Sequence, residues 1–364
     1  MKIICTQENL RAGLGQVSRI VGSSTTLPIL NNVLLQTENG QLKISATNLE
    51  MGMSTLVRCK IEQEGGVAIA AKVLLDLVNN LPNENITIES GEIETAVSTD
   101  RYQTKIKHLP VEDFPIIPEI EDGSVIDVDA VEFKEALDST AFSASTTETQ
   151  PEISGISLKF EEGKVITTAT DRYRLAEMSV PVQTQAGRSI IVPQRSILEL
   201  SKLLVLATGQ VKLNISSTQL AVSVHGTYLV TRLIDGQYPE YTQIIPTETG
   251  TVVSLRHSDL LSALRTSGIF SKGAGSVTME VVADKQVVTV KSASQGIGES
   301  EVEIPCSIQG NSVTVILNYR YMLDLLSNTQ QETLNMNVID DVNPVVFRPE
   351  GKPNYLYLIM PIRL

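Results

Sequence analysis

Apolar residues recur along this chain with two periods, and the whole pattern recurs with the chain. Leu10, Leu14, Val17 and Val21 fall at i, i+4, i+7 and i+11, one face of a helix. Phe133, Leu137, Thr140 and Ala144 repeat that spacing 123 residues later, and Leu260 and Leu264 repeat its first two positions again. Asp129 and Glu132 supply an N-cap and N3 pair for the second of these helices. A second helical signature is also tripled: Leu74-Leu75-Asp76-Leu77, Ile197-Leu198-Glu199-Leu200 and Met322-Leu323-Asp324-Leu325. Each follows a short apolar run (67–69, 190–192, 315–317) and each opens on one cation, Lys72, Arg195 or Arg320. Those cations recur at intervals of 123 and 125 residues.

Between the helices the period drops to two. Residues 42–47, 165–170 and 288–292 alternate as half-buried strands and follow turns at Asn39-Gly40, Glu162-Gly163 and Asp284-Lys285. Each copy therefore predicts strand, helix, several hairpin strands, helix and more strands. That is an α+β fold with antiparallel sheet, because parallel winding needs a helix between most strands. Linkers repeat too. Phe114-Pro115 and Ile116-Ile117-Pro118 precede Glu121-Asp122-Gly123, and Tyr238-Pro239 and Ile244-Ile245-Pro246 precede Thr249-Gly250. Three tandem domains are expected, at 1–121, 122–248 and 249–364.

Composition narrows the reading. A length of 364 residues accommodates three domains. With 42% apolar residues, 4% aromatics and no Trp, the cores must be built from Leu, Ile and Val. A net charge of −13 argues against an ordinary basic nucleic-acid binder, but a basic patch on an acidic body is compatible with it. Arg11, Arg19, Lys134, Lys202, Arg265 and Lys272 lie on or beside the predicted helices, which gathers positive charge on the helical layer. On the first helix, Ala12, Gly15 and Arg19 oppose the apolar stripe; they make either a solvated face or a shallow surface that something bulky approaches. Cys5, Cys59 and Cys306 are widely spaced and odd in number, which reads as reduced thiols in a cytosol. No apolar run approaches the roughly 18 residues of a membrane span, and the first five residues look like a strand. A soluble cytoplasmic protein is expected.

The residues offer no convincing catalytic constellation. His108, His225 and His257 are isolated, and there is no Walker A or G-x-S-x-G run. Gly273-Ala274-Gly275 reads as a loop. The acidic run Glu119, Glu121, Asp122, Asp127 and Asp129 reads as a solvated linker, with collection of Mg²⁺ as the competing reading. Arg172 and Arg174 flank Tyr173 directly after a strand: a surface turn with ion pairs, or the polar rim of an apolar recognition pocket. The last ten residues, from Tyr355 to Leu364, are too apolar to hang free and are expected as a final strand whose tip lines a groove.

With these features in place, the chain resembles the β subunit of bacterial DNA polymerase III, the sliding-clamp family. The resemblance runs end to end. It is carried by Thr26-Leu27-Pro28-Ile29-Leu30-Asn31-Asn32, Asp113-Phe114-Pro115, Ala169-Thr170-Asp171 with Arg174-Leu175-Ala176, Tyr238-Pro239 with Tyr241, Asn343-Pro344-Val345, and Met360-Pro361-Ile362-Arg363-Leu364. It implies three clamp domains per chain and a head-to-tail homodimer closed into a ring, with antiparallel sheets outside and helices lining the hole. Thr104 and Ile106 of one subunit would meet Ile269 and Phe270 of the other. The cations placed toward DNA are Arg19, Lys72, Arg195, Lys202, Arg265 and Arg320. The resemblance also implies a partner-peptide cleft lined by Ile153, Thr170, Arg172, Tyr173, Arg174, Leu175, Pro239, Gln243, Ile244, Asn318, Tyr321, Val345, Met360, Pro361, Ile362, Arg363 and Leu364.

The implied function is a DNA polymerase processivity factor that slides on duplex DNA without reading sequence. Short linear motifs of the polymerase, the clamp loader and repair proteins would dock in the cleft. No catalysis, metal, cofactor or membrane contact is expected of the chain; ATP would be used by the loader. The chain departs from the family at Ser23-Ser24-Thr25, where an arginine is common, at the uncharged Gln243, and at 146–150, which lacks the aromatic or arginine sometimes seen there. Two other readings stand beside the clamp. One is a metal-dependent DNA-processing enzyme built on residues 119–129 and the Arg172–Arg174 turn. The other is a repeat scaffold that meets no nucleic acid.

Overall fold

The computed structural model of the chain describes residues 1–22, 27–147, 149–183, 187–271, 273 and 275–363. Among these are seven α-helices: α1 (Gln7–Val17), α2 (Ala71–Asn80), α3 (Ala130–Ala141), α4 (Pro151–Ser154), α5 (Gln194–Leu204), α6 (His257–Gly268) and α7 (Tyr319–Ser327). The repeat is visible in where elements begin. Helices α1, α3 and α6 open at 7, 130 and 257; α2, α5 and α7 open at 71, 194 and 319. The antiparallel meander Asn32–Glu38, Gln41–Thr47, Met51–Val57 returns as Gly155–Glu161, Lys164–Thr170, Arg174–Pro181 and as Ser276–Val282, Val287–Ser294, Gly298–Pro305. The α+β reading with antiparallel sheets therefore holds.

By packing, the chain divides into two compact units, residues 1–130 with 202–233 and residues 131–201 with 234–364. The first unit carries one sheet of thirteen strands, from Ser124–Asp129 at one edge to Lys60–Gln63 at the other. Inside it Thr227–Arg232 pairs antiparallel with Met51–Val57, with Thr227 opposite Thr55 and Thr231 opposite Met51. The second unit carries a nine-stranded and a four-stranded sheet. Inside the larger one, Tyr355–Ile359 pairs with Arg174–Pro181 in the equivalent way, Arg174 opposite Ile359. The apolar C-terminal segment is thus a strand held on both sides, as its composition requires, with Val345–Pro349 on its other flank.

Two strands keep backbone open for pairing. Among the described residues Gly298–Pro305 pairs only with Val287–Ser294 and is one end of the four-stranded sheet. Gln103–Leu109 pairs along its length with Glu94–Ser98, but on its other side only Leu109 and His108 meet Ala68 and Ile69.

Helix α1 shows how closely helix and sheet approach in the first unit. Thr6 caps it, accepting from the Asn9 amide at 3.3 Å, and Leu10, Leu14 and Val17 are buried as their spacing requires. Val21 does not continue the stripe. The helix tightens into a 3₁₀ turn at Ser18–Ile20, so the next buried position is Ile20. In the second copy Phe133, Leu137 and Thr140 are buried, and the Thr140 hydroxyl is satisfied by the Ala136 carbonyl at 2.8 Å. Ala144 is also buried but lies past the end of α3. Leu260 and Leu264 are buried on α6.

Gly13 faces the sheet, where a Cβ would lie 2.4 Å from Val57 Cγ2, while a Cβ on Gly15 would meet nothing within 4 Å. Both sit mid-helix, where Ala is intrinsically better by about 1 kcal/mol. At Gly13 an overpacking cost of about 1–3 kcal/mol outweighs that gain. Gly13→Ala is therefore expected to lower the thermal midpoint and Gly15→Ala to raise it, each measured against the unaltered chain by calorimetry.

Candidate functional site

The candidate cleft is built in the second unit, where the turn before Arg174–Pro181 meets the end of Tyr355–Ile359. The sequence Thr170-Asp171-Arg172-Tyr173-Arg174 folds on its own side chains. Thr170 Oγ1 donates to the Arg174 carbonyl at 2.7 Å and accepts from the Arg172 amide at 3.1 Å. Asp171 Oδ1 accepts from the Tyr173 and Arg174 amides, each at 3.0 Å. Arg172 takes a left-handed φ of 77°, and its guanidinium donates to Gln150 Oε1 at 2.9 Å. The Met360 amide donates to the Tyr173 carbonyl at 2.8 Å, and the Ile362 amide to the Ile316 carbonyl at 2.8 Å. The last described residues are thereby laid against the turn and against the strand that leads into α7.

Strand alternation sends neighbouring residues to opposite faces of this sheet. Leu175, Leu358 and Val346 line up across three strands on one face, forming a buried cluster with Leu356. Tyr241, Ile245 and Met360 pack against that cluster without being fully buried, so the cluster opens through them. Thr168 Oγ1 donates to the Tyr241 hydroxyl at 2.9 Å. Burial, then the neighbouring Glu177, pushes the Tyr241 phenol well above its ordinary range, so it is neutral at physiological pH.

Arg174, Ile359 and Val345 line up on the other face. The Arg174 guanidinium is bound by Asp171 Oδ2 at 2.9 Å and by Asp324 of α7, and stands over the Tyr321 ring at 4.5 Å and the Phe142 ring at 5.9 Å. Burial alone would weaken its charge; Tyr357, Asp324 and Asp171 outweigh that and hold its pKa above the ordinary value. Tyr357 is fully buried beneath it, with its hydroxyl donating to the Tyr321 carbonyl at 3.0 Å.

Eight of the seventeen sequence-expected lining residues converge here: Thr170, Arg172, Tyr173, Arg174, Leu175, Tyr321, Met360 and Ile362. Asn318 caps α7 by accepting from the Arg320 amide at 2.9 Å. Ile153 is buried in α4. Pro239, Gln243, Ile244 and Arg363 are exposed and Pro361 half-buried. Leu364 lies outside the described residues, as do Thr26, Lys272, Ala274 and Ser23-Ser24-Thr25. Val345 is fully buried opposite Ile359 on the Arg174 face, and the period of two gives Val346 the place beside Leu175. Sequence reasoning also missed Asp171, Asp324, Phe142, Tyr241 and Ile245 as parts of the site. Tyr241 and Ile245 belong to a recurring linker and Asp324 to the tripled helix signature, so the signal was present but pointed to architecture.

The six expected DNA-facing cations are all exposed. Lys72, Arg195 and Arg320 each stand second in their helices α2, α5 and α7. Arg320 lies 5.8 Å from the centre of the Tyr319 ring. Arg19 is in the 3₁₀ turn after α1, and Lys202 and Arg265 are in the last turns of α5 and α6. Of the expected dimer residues, Thr104 is half-buried and Ile106 buried on Gln103–Leu109. Ile269 is 67% exposed after α6, and a Cβ on Gly298 would lie 3.3 Å from Phe270. The histidines have structural settings: His108 Nδ1 meets Thr95 Oγ1 at 2.9 Å and His257 Nε2 meets the Leu326 carbonyl at 2.8 Å. Among the described residues no group of three or more His, Cys, Asp or Glu is placed to hold a metal ion, and no helix is long and apolar enough to cross a membrane.

Comparison with known proteins bears on all of this. Three family profiles match in series: DNA polymerase III beta subunit, N-terminal domain, over 1–118; central domain, over 127–240; C-terminal domain, over 242–363. The chain belongs to the DNA polymerase III beta subunit family. It is 28% identical to the beta sliding clamp of Synechocystis over 390 residues and 28% identical to that of Synechococcus elongatus over 373, covering 100% of both chains each time. Among crystal structures, the sliding clamp of Bartonella birtlesii bound to griselimycin superposes with a TM-score of 0.95 at 26% identity. The DNA polymerase III subunit beta of Pseudomonas aeruginosa does so with a TM-score of 0.94 at 25% identity, and both matches cover 100% of each chain. The resemblance read from the sequence therefore holds over the full length, and the three copies are three clamp domains.

Arg174 is the keystone of the site in energetic terms. Its side chain is 10% exposed, and its two carboxylates are 15% and 46% exposed. Removing one partner of a buried pair costs about 3–5 kcal/mol, and the exposure of Asp324 brings that down to roughly 2 kcal/mol here. Arg174→Ala is expected to destabilise the second unit by that amount in urea unfolding. Arg174→Lys should recover less than half, because an ammonium cannot bridge two carboxylates and stack on Tyr321 at once.

Proposed function

We propose that two copies of this chain close head to tail into a ring around duplex DNA and act as the sliding clamp of a replicative polymerase. One observation carries the closure. The last strand of the second copy (Thr227–Arg232) pairs with Met51–Val57 of the first, and the last strand of the third copy (Tyr355–Ile359) pairs with Arg174–Pro181 of the second. By the same rule, Gln103–Leu109 of the first copy awaits a strand equivalent to Gly298–Pro305; the first is paired on its second side only at His108 and Leu109, and the second ends its sheet. A head-to-tail contact generates rings when the rotation closes. Charge supports the match: Lys105 and Lys107 project from one edge, and Glu299, Glu301 and Glu303 from the other. Thr104 and Ile106, with Ile269 and Phe270, would lie beneath that joint. The three domains are taken to divide near residues 121 and 248, inside or close to the gaps between the matched profiles.

Helix electrostatics supports a DNA-facing role for the tripled cations. Cations are favoured at helix C-termini and disfavoured in first turns by about 0.3–1 kcal/mol. Arg19, Lys202 and Arg265 sit where the helices favour them, so local stability alone accounts for their places. Lys72, Arg195 and Arg320 sit where the helices disfavour them, three times over, which supports a partner outside the fold beyond the Tyr319 ring beside Arg320. Phosphate is that partner: contacts by Lys and Arg carry no sequence information and are weakened by salt, so the ring slides. The cleft at Leu175 and Arg174 would take apolar anchors of short linear motifs from polymerase, clamp loader and repair proteins, holding them at high effective concentration on DNA. The chain itself needs no cofactor and makes or breaks no bond in this role. Its place is the cytoplasm, where the replisome works.

Retention on DNA tests the ring. Loaded by its clamp loader on nicked circular DNA, the protein should persist on circles and run off after linearisation; equal retention on both forms would refute encirclement. The substitutions Lys72→Ala, Arg195→Ala and Arg320→Ala together should weaken loading and flatten its salt dependence while sedimentation still reports a dimer. For the joint, Lys105→Glu with Lys107→Glu should raise the dimer dissociation constant about tenfold or more, about 1.4 kcal/mol or beyond. Mixing that chain with a Glu301→Lys, Glu303→Lys chain should restore a heterodimer, since each then meets the opposite charge at both joints.

A further inference from the structure

We propose that Cys5 and Cys59 form an oxidisable dithiol site, which closes into an intramolecular disulfide when the chain meets a small-molecule disulfide such as oxidised glutathione. This goes beyond the clamp reading and does not rest on it. The strand Lys2–Thr6 pairs antiparallel with Lys60–Gln63, Ile3 opposite Ile61 and Ile4 opposite Lys60. The ladder has one irregularity, between Lys2 and Ile3; carried one step past its last pair, the register from Ile3 onward would set Cys5 opposite Cys59, the residue just before the strand. Directly opposed antiparallel residues have Cα atoms about 4.5–5.5 Å apart, inside the range of about 4.4–6.8 Å that a disulfide spans.

Both cysteines also face the same way. Ile3 and Cys5 are buried, whereas Ile4 is not; Cys59 and Ile61 are half-buried, whereas Lys60 and Glu62 are turned to solvent or less covered by the fold. The thiols therefore share the inward face of the strand pair. Cys5 Sγ donates to the Arg58 carbonyl at 3.4 Å, which turns it toward the residue just before Cys59, and a charge on Cys59 would raise the Cys5 thiol pKa. The position matters because Lys60–Gln63 is the outermost strand of its sheet. A covalent staple to Lys2–Thr6 would tie down the element most free to peel away.

The surroundings set the order of events. Burial, then Cys59, pushes the Cys5 thiol up to about 12, and burial also raises Cys59. Both stay protonated near neutrality, which keeps the pair reduced until an oxidant is present. Cys59 is the more accessible and reacts first. It loses its proton, and its thiolate attacks one sulfur of oxidised glutathione, forming a mixed disulfide and releasing one glutathione thiolate that takes up that proton. Cys5 then loses its proton and attacks Cys59 Sγ, and the second glutathione leaves with that proton. Two protein thiols lose two electrons, and one oxidised glutathione becomes two reduced ones. The product is neutral, which suits a buried face better than either thiolate.

The full-length chain, incubated with oxidised glutathione and acid-quenched, tests this by thiol titration in denaturant and by peptide mapping. Its three thiols should fall to one, with a cross-linked peptide joining Cys5 to Cys59 and no lasting glutathione adduct. A Cys306→Ser chain should fall from two thiols to none. Cys5→Ser should instead keep glutathione on Cys59. Retention of all thiols, a stable glutathione adduct on Cys59 in the unaltered chain, or cross-links that run only through Cys306 between chains would each overturn the site.

Discussion

An antiparallel strand edge that is not covered is a liability, and the rest of this structure follows from how that liability is met. Each copy of the repeat ends in a strand that cannot be buried within its own copy. Thr227–Arg232 is covered by Met51–Val57, and Tyr355–Ile359 by Arg174–Pro181. The pairing is backbone to backbone, so it tolerates wide change in side chains. That is why a chain with 25% or 26% identity to the solved clamps keeps TM-scores of 0.94 and 0.95. It also explains why the packing units do not follow the repeat: residues 202–233 join 1–130 because their strands extend the first sheet.

The same pairing makes the site. With Tyr355–Ile359 laid beside Arg174–Pro181, the sheet gains an end at which one face is apolar and the other is ionic. Leu175 and Leu358 meet on the first face and Arg174 and Ile359 on the second, because adjacent residues in a strand point opposite ways. Arg174 does more than mark a rim. Held by Asp171 and Asp324 and stacked on Tyr321, it joins the turn at 171–174 to helix α7 within the second unit. Its charge is already matched within the fold, and the apolar opening beside it is formed by Leu175, Tyr241, Ile245 and Met360.

Much of the fold was legible in the sequence because the repeat supplied three readings of each element. A helix over Leu10 to Val17 is one short stripe; the same stripe at Phe133 and Leu260 is a pattern. The misses share a cause. Val21 was expected on the buried face because a constant 3.6-residue period was extended past the point where the helix tightened, and Ile20 took its place. Val346 was not singled out in the sequence, yet it joins Leu175 and Leu358, while Val345 faces the Arg174 side, because one residue along a strand changes the face. Of the ionic partners of Arg174, Asp171 lies within the turn that read as ion-paired, and Asp324 was not legible. Asp324 lies 150 residues away in sequence, and only the fold brings it into contact.

Electrostatics then separates what the fold needs from what it merely permits. Acidic residues are 42 and basic residues 29, so the body as a whole repels DNA. In the proposed ring, attraction would have to come from a few placed cations and be weak, since a ring that gripped phosphate tightly would not slide. Cations at helix C-termini cannot be told apart from ordinary dipole stabilisation. Lys72, Arg195 and Arg320 can, because each occupies a first turn that α2, α5 and α7 would fill better with an acid, and none of those helices has one there. The energy forgone at each is small, within about 1 kcal/mol. Its recurrence in three copies is a feature of the repeat that the dipoles of these helices do not explain.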